Sequence, residues 1–372
     1  MKEKLSLPKG WEIKTIGDVC VSASSNVSQN KLANDEGDYP IYGASGLIKK
    51  VSFYHQDKPY LSIVKDGSGV GRVTKMDAYT SVIGTLQYIL PKENIDLDYL
   101  NYSLMSVDFK KYVAGAAIPH IYFKDYKNEP FLWMPLPEQQ RIVSILDEAF
   151  AAIAKAKANA EQNLKNAKEL FESYLQGVFE KKGDGWEEKT LHEVCEFRNG
   201  AAHEQHIDED GKYILVNSKF ISADGEKFKR TNSALAPLYV NDIAFVMSDV
   251  PNGKALAKCF LVNENDTYTL NQRIGAIKSK VFIPEFLVYQ FNRNKYLLSF
   301  NNGENQTNLR KGDILKCPLW VPSLTEQQTI VRQLDALRAE TQKLEAVYQK
   351  KIADLEELKK SILQKAFAGE LS

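Results

Sequence analysis

Two stretches of the chain share one pattern of apolar and polar positions. After Pro137, and again after Leu324, proline and glycine vanish for about forty residues while apolar residues recur at heptad spacing, the pattern of a long packed helix. On the second stretch the seam reads Ile330, Leu334, Leu337, Thr341, Leu344, Tyr348, Lys351, Leu355, Leu358, Ile362. On the first it reads Ile142, Leu146, Ala149, Ile153, Ala156, Ala160, Asn163, Ala167, Leu170, Tyr174. One seam is rich in leucine and the other in alanine. Small side chains facing large ones let two helices approach closely, so the pattern predicts that these helices pair with each other as a coiled coil. Asn163 and Lys351 interrupt the seams, as polar residues do when they fix register.

The segments outside the helices have a different rhythm. Short β-branched and aromatic runs, such as Tyr60-Leu61-Ser62-Ile63-Val64, Leu86-Gln87-Tyr88-Ile89-Leu90 and Asp242-Ile243-Ala244-Phe245-Val246, alternate with glycine and asparagine turns. Each segment also holds one helical stretch, near Asp98 to Lys111 and near Pro284 to Phe300. The expected fold class is α+β: two mixed α/β domains at 1–135 and 183–322, with long helices at 136–182 and 323–372.

An internal repeat ties these pieces together. Gly10-Trp11-Glu12 through Val19-Cys20 returns as Gly185-Trp186-Glu187 through Val194-Cys195, an offset of 175. Farther on, Gly115 matches Gly303, Asp125 matches Asp313, and Glu138-Gln139-Gln140 matches Glu326-Gln327-Gln328, an offset of 188. The second copy is longer, and the excess lies between its opening motif and Gly303. The frame is kept while the interiors have diverged. That suits a protein recognising two different things in one geometry better than it suits a single active site.

Composition narrows the class. The chain is 44% hydrophobic and 26% charged, ordinary for a folded soluble protein with more than one core. Residues 1–10 lack the apolar stretch of a signal peptide, and a cytoplasmic protein is expected. Lys plus Arg equals Asp plus Glu at 48 each. Residues 1–135 carry 16 basic and 15 acidic groups, and 183–320 carry 17 and 18. No segment is a basic arm, so any unaided grip on nucleic acid is expected to be weak and salt-dependent. Cys20, Cys195, Cys259 and Cys317 stand apart, without a Cys-x-x-Cys pair, and read as reduced, mostly buried thiols.

Catalytic signatures are missing. Gly67-Ser68-Gly69-Val70-Gly71 lacks the Gly-Lys-Ser/Thr of a nucleotide loop. Flanked by Lys65 and Arg72, it reads either as a hairpin loop or as a turn offering backbone N–H groups to a DNA phosphate. His203 and His206 have half of a metal-site spacing without a third ligand and read as surface residues. No Asn-Pro-Pro-Tyr, Asp-Pro-Pro-Tyr, Pro-Asp, Gly-x-Ser-x-Gly or His-Glu-x-x-His occurs.

Four successive motifs carry a resemblance. They are Tyr39-Pro40-Ile41-Tyr42-Gly43-Ala44-Ser45-Gly46-Leu47-Ile48, Lys65-Asp66-Gly67-Ser68-Gly69-Val70-Gly71-Arg72, Gly115-Ala116-Ala117-Ile118-Pro119-His120-Ile121 and Pro135-Leu136-Pro137-Glu138-Gln139-Gln140. Together they resemble the target-recognition domain of specificity subunits of type I restriction-modification enzymes, whose doubled layout covers the whole chain. In the second copy Asn301-Asn302-Gly303-Glu304-Asn305-Gln306-Thr307-Asn308-Leu309 replaces the third motif, and the first is missing.

The resemblance implies two target-recognition domains on an antiparallel helix pair. Expected partners are double-stranded DNA, two methyltransferase subunits and, for restriction, translocase-nuclease subunits. S-adenosylmethionine, ATP and magnesium would sit on those partners, with no cofactor on this chain. The doubled frame is expected to read an asymmetric, bipartite target. Local basic clusters place the DNA contacts at Lys49, Lys50, Lys65 and Arg72, and at Lys227, Lys229, Arg230, Arg310 and Lys311, with Ser68 and Gln306 in the adjoining loops. Two other classes stay open: a DNA methyltransferase with an unfamiliar pocket, and a coiled-coil adaptor without DNA readout.

Overall fold

The computed structural model describes residues 7–115, 117–251, 253–301 and 303–370. Ala116 of the Gly-Ala-Ala-Ile-Pro motif and Asn302 of its counterpart lie outside the described residues, as do residues 1–6. The chain divides into two compact units, one of residues 1–163 and 348–372 and the other of residues 164–347. Each long helix contributes one segment to each unit.

The first unit holds a four-stranded sheet in the order Cys20–Ser24, Leu86–Pro91, Tyr60–Val64, Val73–Met76. A second sheet runs Gly46–Val51, Tyr39–Gly43, Ser81–Val82, its last pair parallel. Every residue of Tyr60–Val64 is buried, Ser62 included, as in a strand covered on both faces. One core, around Leu61, Ile63 and Ile89, backs the helices; another, around Ile41, Val51, Tyr60 and Val82, includes residues of both sheets.

The second unit repeats this order with little sequence in common. Its sheets run Cys195–Asn199, Ile274–Ser279, Ile243–Val246, Cys259–Leu261, and Lys229–Thr231, Tyr213–Val216, Tyr268–Leu270. Here too the last pair is parallel. The excess length of this copy enters between the matched residues Tyr42/Val216 and Ile83/Asn271. Part of it replaces the tight turn at Ala44 and Ser45 with the segment 217–228 and its short helix Ser218–Ser222.

Both long helices are continuous: Leu136–Lys181, of 46 residues, and Leu324–Phe367, of 44. Each begins on the same amide latch. Gln139 is fully buried; its Oε1 accepts from Asp96 N at 2.9 Å, and its Nε2 donates to the carbonyls of Asn94 and Met134 at 3.0 and 2.8 Å. Gln327, 188 residues on, accepts from Ile283 N at 2.8 Å and donates to the carbonyls of Val281 and Pro322 at 3.3 and 3.0 Å. A second brace is also duplicated, Tyr102 Oη to the Asp147 carboxylate and Tyr289 Oη to the Asp335 carboxylate.

Within each unit the two helices run antiparallel. In the first, Lys157 Nζ meets Glu356 Oε1 at 2.7 Å and Lys359 Nζ lies 4.9 Å from the Phe150 ring centroid. In the second, the Arg338 guanidinium lies 4.9 Å from the Phe171 ring and Tyr174 Oη donates to Gln333 at 3.3 Å. Positions 150 and 338 correspond through the repeat, as do 171 and 359. In both units the ring stands on Leu136–Lys181 and the cation on Leu324–Phe367, so repeat-equivalent positions carry a ring in one unit and a cation in the other while the contact stays.

The buried stripe corrects the heptad seam. Ile142, Ile153, Leu164 and Leu175 on one helix, and Ile330, Thr341, Ile352 and Leu363 on the other, are buried or half-buried at a spacing of eleven residues. Leu146, Ala156, Ala167, Leu334, Leu337 and Leu355 share the stripe. Leu170, Tyr174, Leu344 and Leu358 instead leave between 41% and 50% of their surface exposed. Asn163 and Lys351 are exposed as well, so neither sets register from within a seam. The reason is helical pitch. A strict seven-residue repeat drifts by about 20° per heptad on an undistorted helix, whereas eleven residues fill three turns almost evenly.

Gln139→Ala and Gln327→Ala each strand one amide and two carbonyls, and each should cost about 2–4 kcal/mol in denaturant titrations. Leu164→Ala should cost about 1–3 kcal/mol, while Asn163→Ala stays within about 0.5. Equal losses at 163 and 164 would reinstate the seven-residue seam.

Candidate nucleic-acid interface

Three motifs far apart in sequence converge in the first unit. The loop 65–72 leaves the buried strand Tyr60–Val64 and returns as Val73–Met76. Its backbone is pinned from several sides: Lys65 N donates to Thr85 O at 3.0 Å, Gly67 N to Pro119 O at 2.9 Å, Gly71 N to Val64 O at 2.9 Å, and Ile121 N to Lys65 O at 2.9 Å. Gly71 sits at φ +86°, where a Cβ would come within 2.7 Å of the Phe109 Cβ. The Arg72 guanidinium reaches across to the Ala44 carbonyl and joins this loop to the Gly43–Gly46 turn.

These bonds change what the loop offers a ligand. The amides of Lys65, Asp66, Gly67, Val70, Gly71 and Arg72 all donate within the protein, so the reading of a turn presenting them to phosphate is corrected for those six. Its side chains remain. Ser68 and Lys50 are exposed and Lys65 is half-buried. Lys49 Nζ is already bonded to Leu32 O at 3.0 Å.

The same crossing is rebuilt in the second unit although the motifs are lost. Leu309 N donates to Met247 O at 2.8 Å, the counterpart of Ile121 to Lys65, and Ser248–Asp249 pairs with Thr307–Asn308. Gln306 Nε2 donates to Ser248 Oγ at 2.8 Å, holding this crossing from the side. Arg310 and Lys311 follow it, both exposed. At the neighbouring sheet Lys229 and, just before its strand, Lys227 are exposed, while Arg230 is half-buried, donates to Gly211 O at 3.3 Å and lies 5.2 Å from the Phe228 ring. The predicted basic residues of this unit therefore fall into two groups, around 227–230 and around 310–311.

Each unit has a cleft beside its mixed sheet. In the first it measures about 240 Å³ and is lined by Tyr42, Ser45, Ser62, Arg72 and Thr74 among others. In the second it measures about 400 Å³ and is lined by Asn217, Lys219, Lys229, Asn271, Gln272 and Arg273 among others. Lys219, Gln272 and Arg273 were not singled out from sequence. For Gln272 and Arg273 the repeat carries a signal, since an offset of 188 places them on Gly84 and Thr85; Lys219 lies in the inserted segment and has no counterpart.

His203 is a correction. It is fully buried rather than on the surface, with Nδ1 2.8 Å from Ala201 O and Nε2 3.0 Å from Thr269 Oγ1. Both ring nitrogens find hydrogen-bond partners, as buried polar atoms require. His206 is exposed. Among the described residues no group of three or more His, Cys, Asp and Glu could hold a metal ion. Burial pushes the thiols of Cys20, Cys195 and Cys317 up to about 12 and that of Cys259 higher, so none is a poised nucleophile. No helix among the described residues is long and apolar enough to cross a membrane.

Comparison with known proteins agrees with this layout. A sequence profile of the type I restriction modification DNA specificity domain matches residues 8–165 and again residues 183–354. The chain is 23% identical over 409 residues to the type I restriction enzyme EcoDI specificity subunit of Escherichia coli, covering 98% of this chain and 90% of that protein. It is 25% identical over 169 residues to the MjaIX specificity subunit of Methanocaldococcus jannaschii, covering 40% and 39%. Its fold is similar to a chain from a structure described as the basis of complex assembly and conformational transition of the type I R-M system, with a TM-score of 0.76 at 17% identity over 99% of this chain and 100% of that one. The HsdS subunit from Thermoanaerobacter tengcongensis is similar over 100% of both chains, with a TM-score of 0.60 and 17% identity. Matched twice by one specificity-domain profile, and built twice on one frame, this chain belongs to the type I restriction-modification DNA specificity family.

Proposed function

We propose that this chain reads an asymmetric, bipartite DNA target on behalf of a type I restriction-modification complex and does no chemistry itself. Residues 1–135 and 183–322 are its two target-recognition domains. The helices at 136–182 and 323–372 form the platform for two methyltransferase subunits and, where a nuclease is present, restriction and translocase subunits. S-adenosylmethionine, ATP and magnesium belong to those partners, and the complex acts in the cytoplasm.

One observation carries this reading: two copies of a single backbone frame hold unlike side chains at matched positions. Equivalent frames approach a duplex in equivalent ways, and unlike side chains read unlike bases. Lys50, Lys65 and Ser68, and Lys227, Lys229, Arg310 and Lys311, are the proposed contacts to DNA. Lys49, Arg72, Arg230 and Gln306, each bonded within the protein, hold the loops that carry them.

Charge sets how the reading takes place. Each domain is close to neutral, so its contacts displace few counterions without help. The isolated chain should bind any duplex weakly at physiological salt, and the complex with its methyltransferase tightly; tight specific binding by the chain alone would contradict this. Mapping methylated sites in a host that expresses this chain with its methyltransferase should give two different short sequences separated by an unread spacer. A continuous or palindromic site would defeat the two-reader model.

A further inference from the structure

The second unit carries a turn whose backbone the first unit duplicates and whose side chains it does not. Residues 271–273 join the strands Tyr268–Leu270 and Ile274–Ser279. Asn271 N donates to Val216 O at 3.0 Å, Ile274 N to Asn271 O at 3.0 Å, and Met247 N to Arg273 O at 3.1 Å. In the first unit Ile83 N donates to Tyr42 O at 2.9 Å, Leu86 N to Ile83 O at 3.0 Å, and Lys65 N to Thr85 O at 3.0 Å. The same three bonds hold the same turn. Between them the first unit has Gly84 and Thr85, and the second has Gln272 and Arg273.

Hydrogen bonds hold the backbone of the turn, and two of its side chains, Gln272 and Arg273, are exposed. Asn271 Oδ1 accepts from Arg273 N at 3.3 Å, and Gly200 passes so close that a Cβ there would lie 2.0 Å from the Asn271 carbonyl. Gln272 and Arg273 are exposed at the cleft of about 400 Å³, with Lys219 from the inserted helix and Lys229 from the sheet edge on the same lining. Among the described residues Lys219, Lys229 and Arg273 make no ion pair. Gln272 Nε2 donates to Oε1 of Glu204, the acid on the lining, at 3.4 Å, an exposed bond that a base edge would have to replace.

We propose that Gln272 and Arg273 are base-reading residues for one half of the target, facing purine edges in the major groove, with Lys219 and Lys229 on the flanking phosphates. This rests on the reading of the chain as a DNA-specificity subunit. An amide and a guanidinium side by side present the donors and acceptors that match adenine N6/N7 and guanine O6/N7. A backbone fixed before binding leaves only those two side chains to order, which favours discrimination. Ammonium groups on flexible stems suit phosphate, where charge matters more than direction. The first unit, with Gly84 and Thr85 at these positions, reads its own half-site by other means.

The test uses the complex with its methyltransferase and a panel of duplexes in which each base of the mapped target is changed in turn. Gln272→Ala and Arg273→Ala should each lose about tenfold or more of the preference at one or two neighbouring positions of a single half-site, leaving the other half unchanged. Arg273→Lys keeps the charge and should lose the preference while the salt dependence stays as in the parent. Lys219→Ala with Lys229→Ala should weaken all duplexes alike and reduce the salt slope by about one per charge removed. Parent-like preference at every position in Gln272→Ala and Arg273→Ala, or a uniform loss across all duplexes, would overturn the assignment. A parent complex that prefers no base anywhere would instead defeat the specificity-subunit reading beneath it.

Discussion

A helix that buries one narrow stripe over more than forty residues is governed by its own pitch. Here the two long helices bury residues every eleven positions, and that spacing keeps one face inward without requiring the left-handed winding that sevens impose. The rest of the structure hangs on those faces. Ile142, Leu146, Leu363 and Ala366 belong to the core of the first unit, and Ile330 and Leu334 to that of the second. Gln139 and Gln327 tie the helix starts to loop backbone, and the ring–cation contacts 150/359 and 171/338 recur at repeat-related pairs although each repeat-equivalent position has changed from ring to cation or back. A contact preserved through such an exchange is one the geometry needs.

On this scaffold, conservation of backbone and divergence of side chains are separate events. The crossing of Ile121 over Lys65 recurs as Leu309 over Met247, yet the residues that project from it differ. The added length of the second copy lies at the mixed sheet and widens the cleft, while the four-stranded sheet keeps its order. Insertions at a sheet edge leave the buried strands Tyr60–Val64 and Ile243–Val246 undisturbed, because those strands are fixed by apolar contacts on both faces. A reader can change what it reads there without changing how it stands.

Much of this was legible in the sequence. The repeat, the two long helices, the buried strand runs and the mixed α/β class follow from periodicities that act locally. What was missed depends on partners distant in the chain. His203 sits in a polar run, and its burial rests on Thr269, 66 residues away. Arg72 and Lys49 look like free cations until the fold supplies the carbonyls of Ala44 and Leu32. Lys219, Lys229 and Arg273 form a basic cleft that no window of sequence contains. The phase of the helix stripe was missed for another reason: a seven-residue template fits the first turns and then drifts, placing Asn163 and Lys351 where Leu164 and Ile352 belong.

The claim that one frame serves two independent readers is tested most directly by a hybrid chain. Replacing residues 195–315 with the matching interior of a relative, while keeping both long helices and the first domain, and then mapping methylated sites should rewrite one half of the target. The other half and the spacer should stay as they were. A hybrid that assembles with its methyltransferase and methylates a site changed in both halves would contradict the account.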